Sequence, residues 1–221
     1  KVDFLPSGMI TLFHNRSGSY ISLGGVYEVK NKSTTIKEIT AKVIRQSDNA
    51  TLSLIWSTFP SPICRRVAGN FETSFETAHP FKVEADTLAP AFVEFVDKCA
   101  NMDEVSNNIL YPVVCATMPI FSQPNATLPI VDGAVRALPE YALAKIALND
   151  HFFWKADEYE MVITTIHSKG TFDKKYVFSL SDAESLRLRN NIDSVLISHV
   201  ANHFGIPVQM NTVTKDFKGK K

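Results

Sequence analysis

Apolar and polar positions alternate with a period of two through much of the first half of the chain. "GMITLFH" sets Met9, Thr11 and Phe13 against Ile10, Leu12 and His14, and "TIKEITAKVIRQ" puts Ile39, Ala41 and Val43 on one side with Lys37, Glu38, Lys42 and Arg45 mostly away from it. "TLSLIWS" aims Leu52, Leu54 and Trp56 the same way, while "PFKVEA" and "AFVEFV" set Phe81, Val83 and Ala85, then Val93 and Phe95, opposite charged or exposed neighbours. Such alternation predicts short strands with one face packed and one face wet. Turn residues punctuate the runs at "NRSGS", "NKS" and "SDNA", and Gly24–Gly25 marks a bulge or a sharp bend. The crowd of His79, Glu84, Asp86 and Glu94 within "AHPFKVEADTLAPAFVEF" follows from the same alternation, as the wet faces of two strands.

From residue 98 the texture changes. Five prolines, Pro112, Pro119, Pro124, Pro129 and Pro139, exclude a continuous helix or a central strand, so 98–150 reads as an irregular or helical insertion. It ends in a helix, "PEYALAKIALND", on which Leu143, Ile146 and Ala147 share a stripe. "EYEMVITTIHS" and "KKYVFSL" then form a hairpin turned at "KGTFD". Two strands cannot stand alone, so the hairpin is expected to pair back onto the N-terminal strands. "SDAE" at Ser181–Glu184 is a capping box opening an amphipathic helix over 182–204, with Leu188, Ile192, Val195, Leu196 and Val200 on one stripe and Gly205 with Pro207 at its end. The basic tail "KDFKGKK" reads as a frayed, solvated terminus.

The stretches "VYEVKNKSTTIKEITAKV" and "FKVEADTLAPAFVEF", strand–turn–strand units with Leu-x-Pro before a strand, resemble those of bacterial immunoglobulin-like sandwiches. That resemblance implies a mainly β, antiparallel immunoglobulin-like sandwich and brings no catalytic residue with it. The expected organisation is one domain over 1–221: strands in 8–97 and 158–180, the insertion 98–150, the helix 182–204 and a tail over 206–221.

Composition narrows the function classes. Hydrophobic residues at 45% and charged residues at 21% are ordinary for a folded globular chain. A formal net charge of zero provides no field to draw the molecule to nucleic acid or an anionic bilayer. No run reaches the roughly 18 apolar residues that span a bilayer. The first residue is Lys1, so a membrane enters only through an anchor or leader expected upstream. Cys64, Cys99 and Cys115 lack CxxC spacing and leave at least one thiol unpaired. Asn15, Asn31, Asn49 and Asn125 open N-x-S/T sequons, against roughly two expected by chance.

Candidate chemistry is sparse. His199 and His203 stand four apart on the last helix, the spacing that lets two imidazoles share a metal, but Val200 occupies the position of the HExxH glutamate. Cys64 beside Arg65 and Arg66 would be an activated thiol if a base were near. Asp150, His151, Asp157, Glu158 and Glu160 gather around "NDHFFWKADEYE" without a D-x-D-x-D-G calcium loop. Phe152, Phe153 and Trp154 read as core or interface anchors. GxGxxG, GxxxxGK[ST] and GxSxG are absent, and no cofactor is implied. The expectation is a non-catalytic binding or assembly module of a bacterial envelope or membrane-anchored protein, meeting a protein partner through the insertion and Phe152, Phe153 and Trp154. The alternative is a hydrolase or metal-dependent enzyme using His199, His203 and the acids of 150–160.

Overall fold

A computed structural model describes the chain except residues 16–17, 68–69, 98–104, 123–125 and 220–221, and describes 60–67, 70–75 and 105–106 by backbone alone. In chain order the strands are β1 (Val2–Asn15), β2 (Gly18–Val29), β3 (Thr34–Arg45), β4 (Thr51–Val67), β5 (Asn70–Thr77), β6 (Phe81–Val83) and β7 (Thr87–Asp97). A π-helical turn (Val105–Leu110) leads into α1 (Tyr111–Phe121), α2 (Leu128–Arg136) and α3 (Pro139–Asp150). There follow β8 (Asp157–His167), β9 (Gly170–Leu180), α4 (Asp182–Arg189), α5 (Asn191–His203), β10 (Thr212–Asp216) and β11 (Lys218–Gly219).

The strands make one 11-stranded antiparallel sheet along the path β10-β1-β2-β7-β4-β3-β8-β9-β11, with β5 on β4 and β6 on β3. Both ends of the path belong to the same C-terminal segment, so the sheet curls until it nearly closes into a barrel. The mainly β expectation is met. The hydrogen-bonded path is one curled sheet whose inner face meets itself, and it does not establish the immunoglobulin-like pair of apposed sheets.

Period-two patterning decides what fills the interior. Ile10, Leu12 and His14 point inward while Met9 is 54% exposed, so the first alternation resolves toward its even members. Ile39, Ala41, Val43, Leu52, Leu54, Trp56, Val93 and Phe95 are buried as their alternation predicts. Gly24 and Gly25 pair in register with Phe92 and Ala91. The bulge lies opposite them, between Pro6 and Ile10 of β1. Gly25 is required by close approach: a Cβ there would come within 2.6 Å of the Phe4 ring and 2.7 Å of the Leu5 carbonyl. The β8–β9 hairpin turns on Ser168–Lys169, since His167 pairs directly with Gly170 and β9 starts before "KKYVFSL".

The tail is where the structure departs furthest from the expectation. Thr212–Asp216 pairs with β1, Lys218–Gly219 pairs with β9, and Phe217 between them is buried edge-on against Tyr176 at 4.8 Å. The β1 bulge turns the Gly8 carbonyl to accept from the Phe217 N–H at 3.0 Å. Val213 and Phe217 both point inward, so the lysines between and after them decorate a closing strand.

Registers place the ends of β1, β3, β7 and β9 and the starts of β8 and β10 at one end of the barrel. The helices therefore cap that end. The capping box forms as expected, with the Glu184 N–H donating to Ser181 Oγ and the Ser181 N–H donating to Glu184 Oε2. The single helix expected over 182–204 is two helices joined at Asn190. The anticipated stripe Leu188, Ile192, Val195, Leu196 and Val200 is buried throughout, at about 1.5–3 kcal/mol for each side chain.

Candidate interaction surface on the helical cap

The cap is fixed to the barrel at the top of β1. Trp154 Nε1–H donates to the Phe13 carbonyl at 2.7 Å, and Ser185 Oγ–H donates to the Trp154 carbonyl at 2.7 Å. Asn191, fully buried, donates from Nδ2 to the His14 and Asn211 carbonyls and accepts at Oδ1 from the Asn211 N–H, each at 2.8 Å. Phe152 meets the edge of the buried His14 imidazole, at 4.9 Å and 85°. Burial pushes the His14 pKa down to about 4.

These bonds relocate the expected aromatic anchors. Phe152 is 2% exposed and Trp154 0%, so both are pillars between cap and barrel and have no surface to offer a partner. Phe153 is half-buried under the Arg45 guanidinium at 5.3 Å, and its carbonyl accepts from Arg45 Nη1 at 2.6 Å. The hydrophobicity of "FFW" signalled contact correctly, but the contact is internal.

The outer surface of the cap is unusual. Helix α1 has no charged residue between Tyr111 and Phe121, yet buries only Val113 and Thr117, leaving Tyr111, Pro112, Cys115, Met118 and Pro119 exposed. Helix α3 packs through Tyr141, Ala144 and Leu148. The stripe anticipated for it, Leu143, Ile146 and Ala147, is instead its outward face, with Leu143 67% and Ile146 61% exposed. A polar hub decides that orientation. Tyr141 O–H donates to Asp193 Oδ1 at 2.8 Å while accepting from Arg136 Nη1 at 3.0 Å, and Lys145 Nζ reaches the same carboxylate at 2.8 Å. Burial raises the Asp193 pKa, but the bonds from Lys145 and Tyr141 outweigh it and the net shift is downward. Between α3 and the π-helical turn leading into α1 lies a cavity of about 280 Å³, lined by Asn108, Ile109, Pro112, Glu140, Leu143, Ala144 and Ala147.

The residues considered for catalysis do not converge. His199 Nε2 lies 3.1 Å from Thr117 Oγ1. That hydroxyl also donates to the Val113 carbonyl at 2.7 Å, so the Nε2 side of the imidazole is taken up by a buried contact within the cap. Burial lowers the His199 pKa. His203 stacks on Phe121 at 4.0 Å. Among the described residues no group of three or more His, Cys, Asp or Glu could hold a metal ion. Asp150 and His151 are exposed at the end of α3, whereas Asp157 accepts from the Ser47 hydroxyl and N–H across the β3–β8 end, and that hydroxyl lowers its pKa. Glu160 lies 3.8 Å from Lys175 on the sheet. Of the N-terminal acids, Glu94 accepts from Thr58 at 3.0 Å and His79 is exposed after β5, while Glu84 and Asp86 are exposed on the β6–β7 turn, where Glu84 pairs with Lys82 and Asp86 accepts from the Asn31 N–H. The side chains of Cys64, Arg65 and Arg66, all of Cys99, and the Asn125 sequon lie outside the described residues. Asn31 and Asn49 occupy exposed turns at φ 76° and 56°.

A larger groove, about 790 Å³, crosses the outer face of the seam and includes Met9, Glu158, Val177, Ser179, Thr214 and Asp216. Among the described residues no histidine or cysteine lines it. Lys215 at its floor is bound to Glu184 at 2.8 Å, tying β10 to the start of α4. No helix among the described residues is long and apolar enough to cross a membrane.

No protein-family model matches the chain, and a search of curated proteins returns no match. Among solved structures, a family 123 glycoside hydrolase from Clostridium perfringens is similar over 77% of this chain and 22% of that one, at 9% identity and a TM-score of 0.33. The chain thus spans less than a quarter of that structure's length, and a likeness of this degree carries no argument about function.

Proposed function

We propose that the protein is a non-catalytic binding module that works by protein–protein contact through the outward face of its helical cap. One observation carries this reading: an uncharged helix, α1, lies half open on the surface beside Leu143 and Ile146 of α3. A helix that is apolar all round is ordinarily buried on all sides. Contiguous exposed apolar surface rimmed by polar groups is characteristic of interaction sites. The barrel supports this role as a scaffold, because Trp154, Ser185 and Asn191 hold the cap rigidly to β1. The hydrolase reading gains no such support, since the His199 and His203 rings are engaged with Thr117 and Phe121 and the acids of 150–160 lie on different elements.

Site-specific photo-crosslinking tests the proposal. A photoreactive residue at position 143, in cells that express the chain natively, is expected to give a discrete protein adduct that the same residue at position 179, on the seam, does not give. Identical adduct patterns from the two positions would refute it.

A further inference from the structure

The α1–α3 groove has a charge pattern that specifies its occupant. Glu140, which lines it, and Asp150 lie on the same side of α3 as Leu143 and Ala147, ten residues and about 15 Å apart at 1.5 Å per residue. Neither carboxylate has an ion-pair partner among the described residues. Lys145, on the same helix, is engaged with Asp193 at 2.8 Å, and Arg136, just before it, with Asp132 at 2.9 Å. The opposite wall, Asn108 and Ile109 of the π-helical turn and Pro112 of α1, contributes no charge. Asp150 is moreover the last residue of α3, where the helix dipole disfavours an anion and favours a cation. Two carboxylates without an ion-pair partner among the described residues thus stand about three helical turns apart on this side of α3, Glu140 lining the cavity and Asp150 beyond it.

Resting on the reading above, we infer that the partner is an amphipathic helix whose apolar stripe enters the groove between Ile109, Pro112, Leu143 and Ala147 and whose two basic side chains, about three turns apart, pair with Glu140 and Asp150. Aliphatic anchors at i, i+3, i+4 and i+7 are how a helix fills such a groove, and flanking charges set partner choice and orientation. An anionic bilayer would be repelled by the same two carboxylates. A second copy docking through the same face about a two-fold axis would set like charges against one another.

The test uses the full chain and synthetic helical peptides of about four turns. One has a Leu/Ala stripe with Lys at both ends, and its twin has Glu at both ends. The Lys peptide is expected to bind at least about tenfold more tightly than the Glu peptide and to weaken with added salt. The surface double variant Glu140→Lys/Asp150→Lys should invert that preference, and Leu143→Asp should abolish both. Circular dichroism confirms that each variant is folded. Equal binding of the two peptides, or a preference the double variant leaves unchanged, overturns the charge rule. If Leu143→Asp still removes binding and the position-143 adduct persists, the binding-module reading survives that failure. Binding of phosphatidylglycerol vesicles that is lost on Leu143→Asp, with neither peptide bound, would replace the helix by a membrane. Failure of both peptides together with loss of the position-143 adduct would sink both proposals.

Discussion

Replacing Asn191 with leucine should loosen the joint between cap and barrel more than any other change of similar size. The carboxamide is fully buried and makes four hydrogen bonds, to the His14 carbonyl, the Asn211 carbonyl, the Asn211 N–H and the Asn211 side-chain amide. Leucine has the same branching and number of heavy atoms and leaves those partners behind. Each buried group left unpaired costs about 1–3 kcal/mol. Asn211 is only partly buried, so water recovers some of its bonds, whereas the bond to the His14 carbonyl is buried. The sum is about 2–4 kcal/mol. Asn191→Asp should cost more at neutral pH, because a carboxylate would face two carbonyls in place of an N–H donor. Urea unfolding reports the loss as a lower midpoint at unchanged slope. Hydrogen exchange should show the amides of Asn211–Val213 losing protection first, since Asn211 is the link into β10. A leucine variant within about 0.5 kcal/mol of the native chain, where ordinary surface substitutions fall, would refute the claim that this residue joins the layers.

Other expectations follow from the same geometry. Gly25→Ala forces a Cβ against the Phe4 ring and the immobile Leu5 carbonyl, and should cost about 1–3 kcal/mol, read as a fall in Tm. Phe217→Ala removes the buried ring at the seam and should cost about 3–5 kcal/mol, with exchange protection lost in β10 and β11 before the rest of the sheet; a variant of native stability would show that the seam does not depend on this plug. His14 remains neutral in the folded protein down to about pH 4, while the unfolded chain takes up its proton near 6.5. Between those values the unfolded state binds more protons, so stability falls as pH drops through that window, by an amount of order 3 kcal/mol at 1.36 kcal/mol per pH unit. His14→Gln should flatten this segment of the stability–pH curve, and parallel curves for the two proteins would show that His14 is not responsible.

Strand faces were readable because one side of each is packed: Ile39, Ala41, Val43, Leu52, Leu54 and Trp56 resolved as their spacing suggested. The α4 start was legible because a capping box is a local device. The closing strand was hidden because Val213 and Phe217 are separated by Thr214, Lys215 and Asp216, and only the distant edges of β1 and β9 give those apolar residues something to cover. Helix α3 was read inside out for a related reason. Its sequence has apolar residues on two sides, and the side that packs is chosen by the Tyr141–Asp193 bond across 52 positions. Phe152 and Trp154 announced themselves as anchors, but their partners, His14 and the Phe13 carbonyl, are set by tertiary packing. The clue to the surface lay in the uncharged run from Tyr111 to Phe121, which is informative only once half of it is seen to face solvent.

The central claim is that the cap's outward apolar face is the working surface of the molecule. It is tested most directly by measuring how tightly the protein captured at position 143 binds two variants of the chain. One carries Tyr111→Ser, Met118→Ser, Leu143→Ser and Ile146→Ser together, and the other carries Val177→Ser on the seam. The cap variant is expected to keep its circular dichroism spectrum and a cooperative melt while its affinity falls by at least about tenfold, or 1.4 kcal/mol, and the seam variant to bind as the native chain does. A folded cap variant with native affinity, or an equal loss from the seam change, would contradict it.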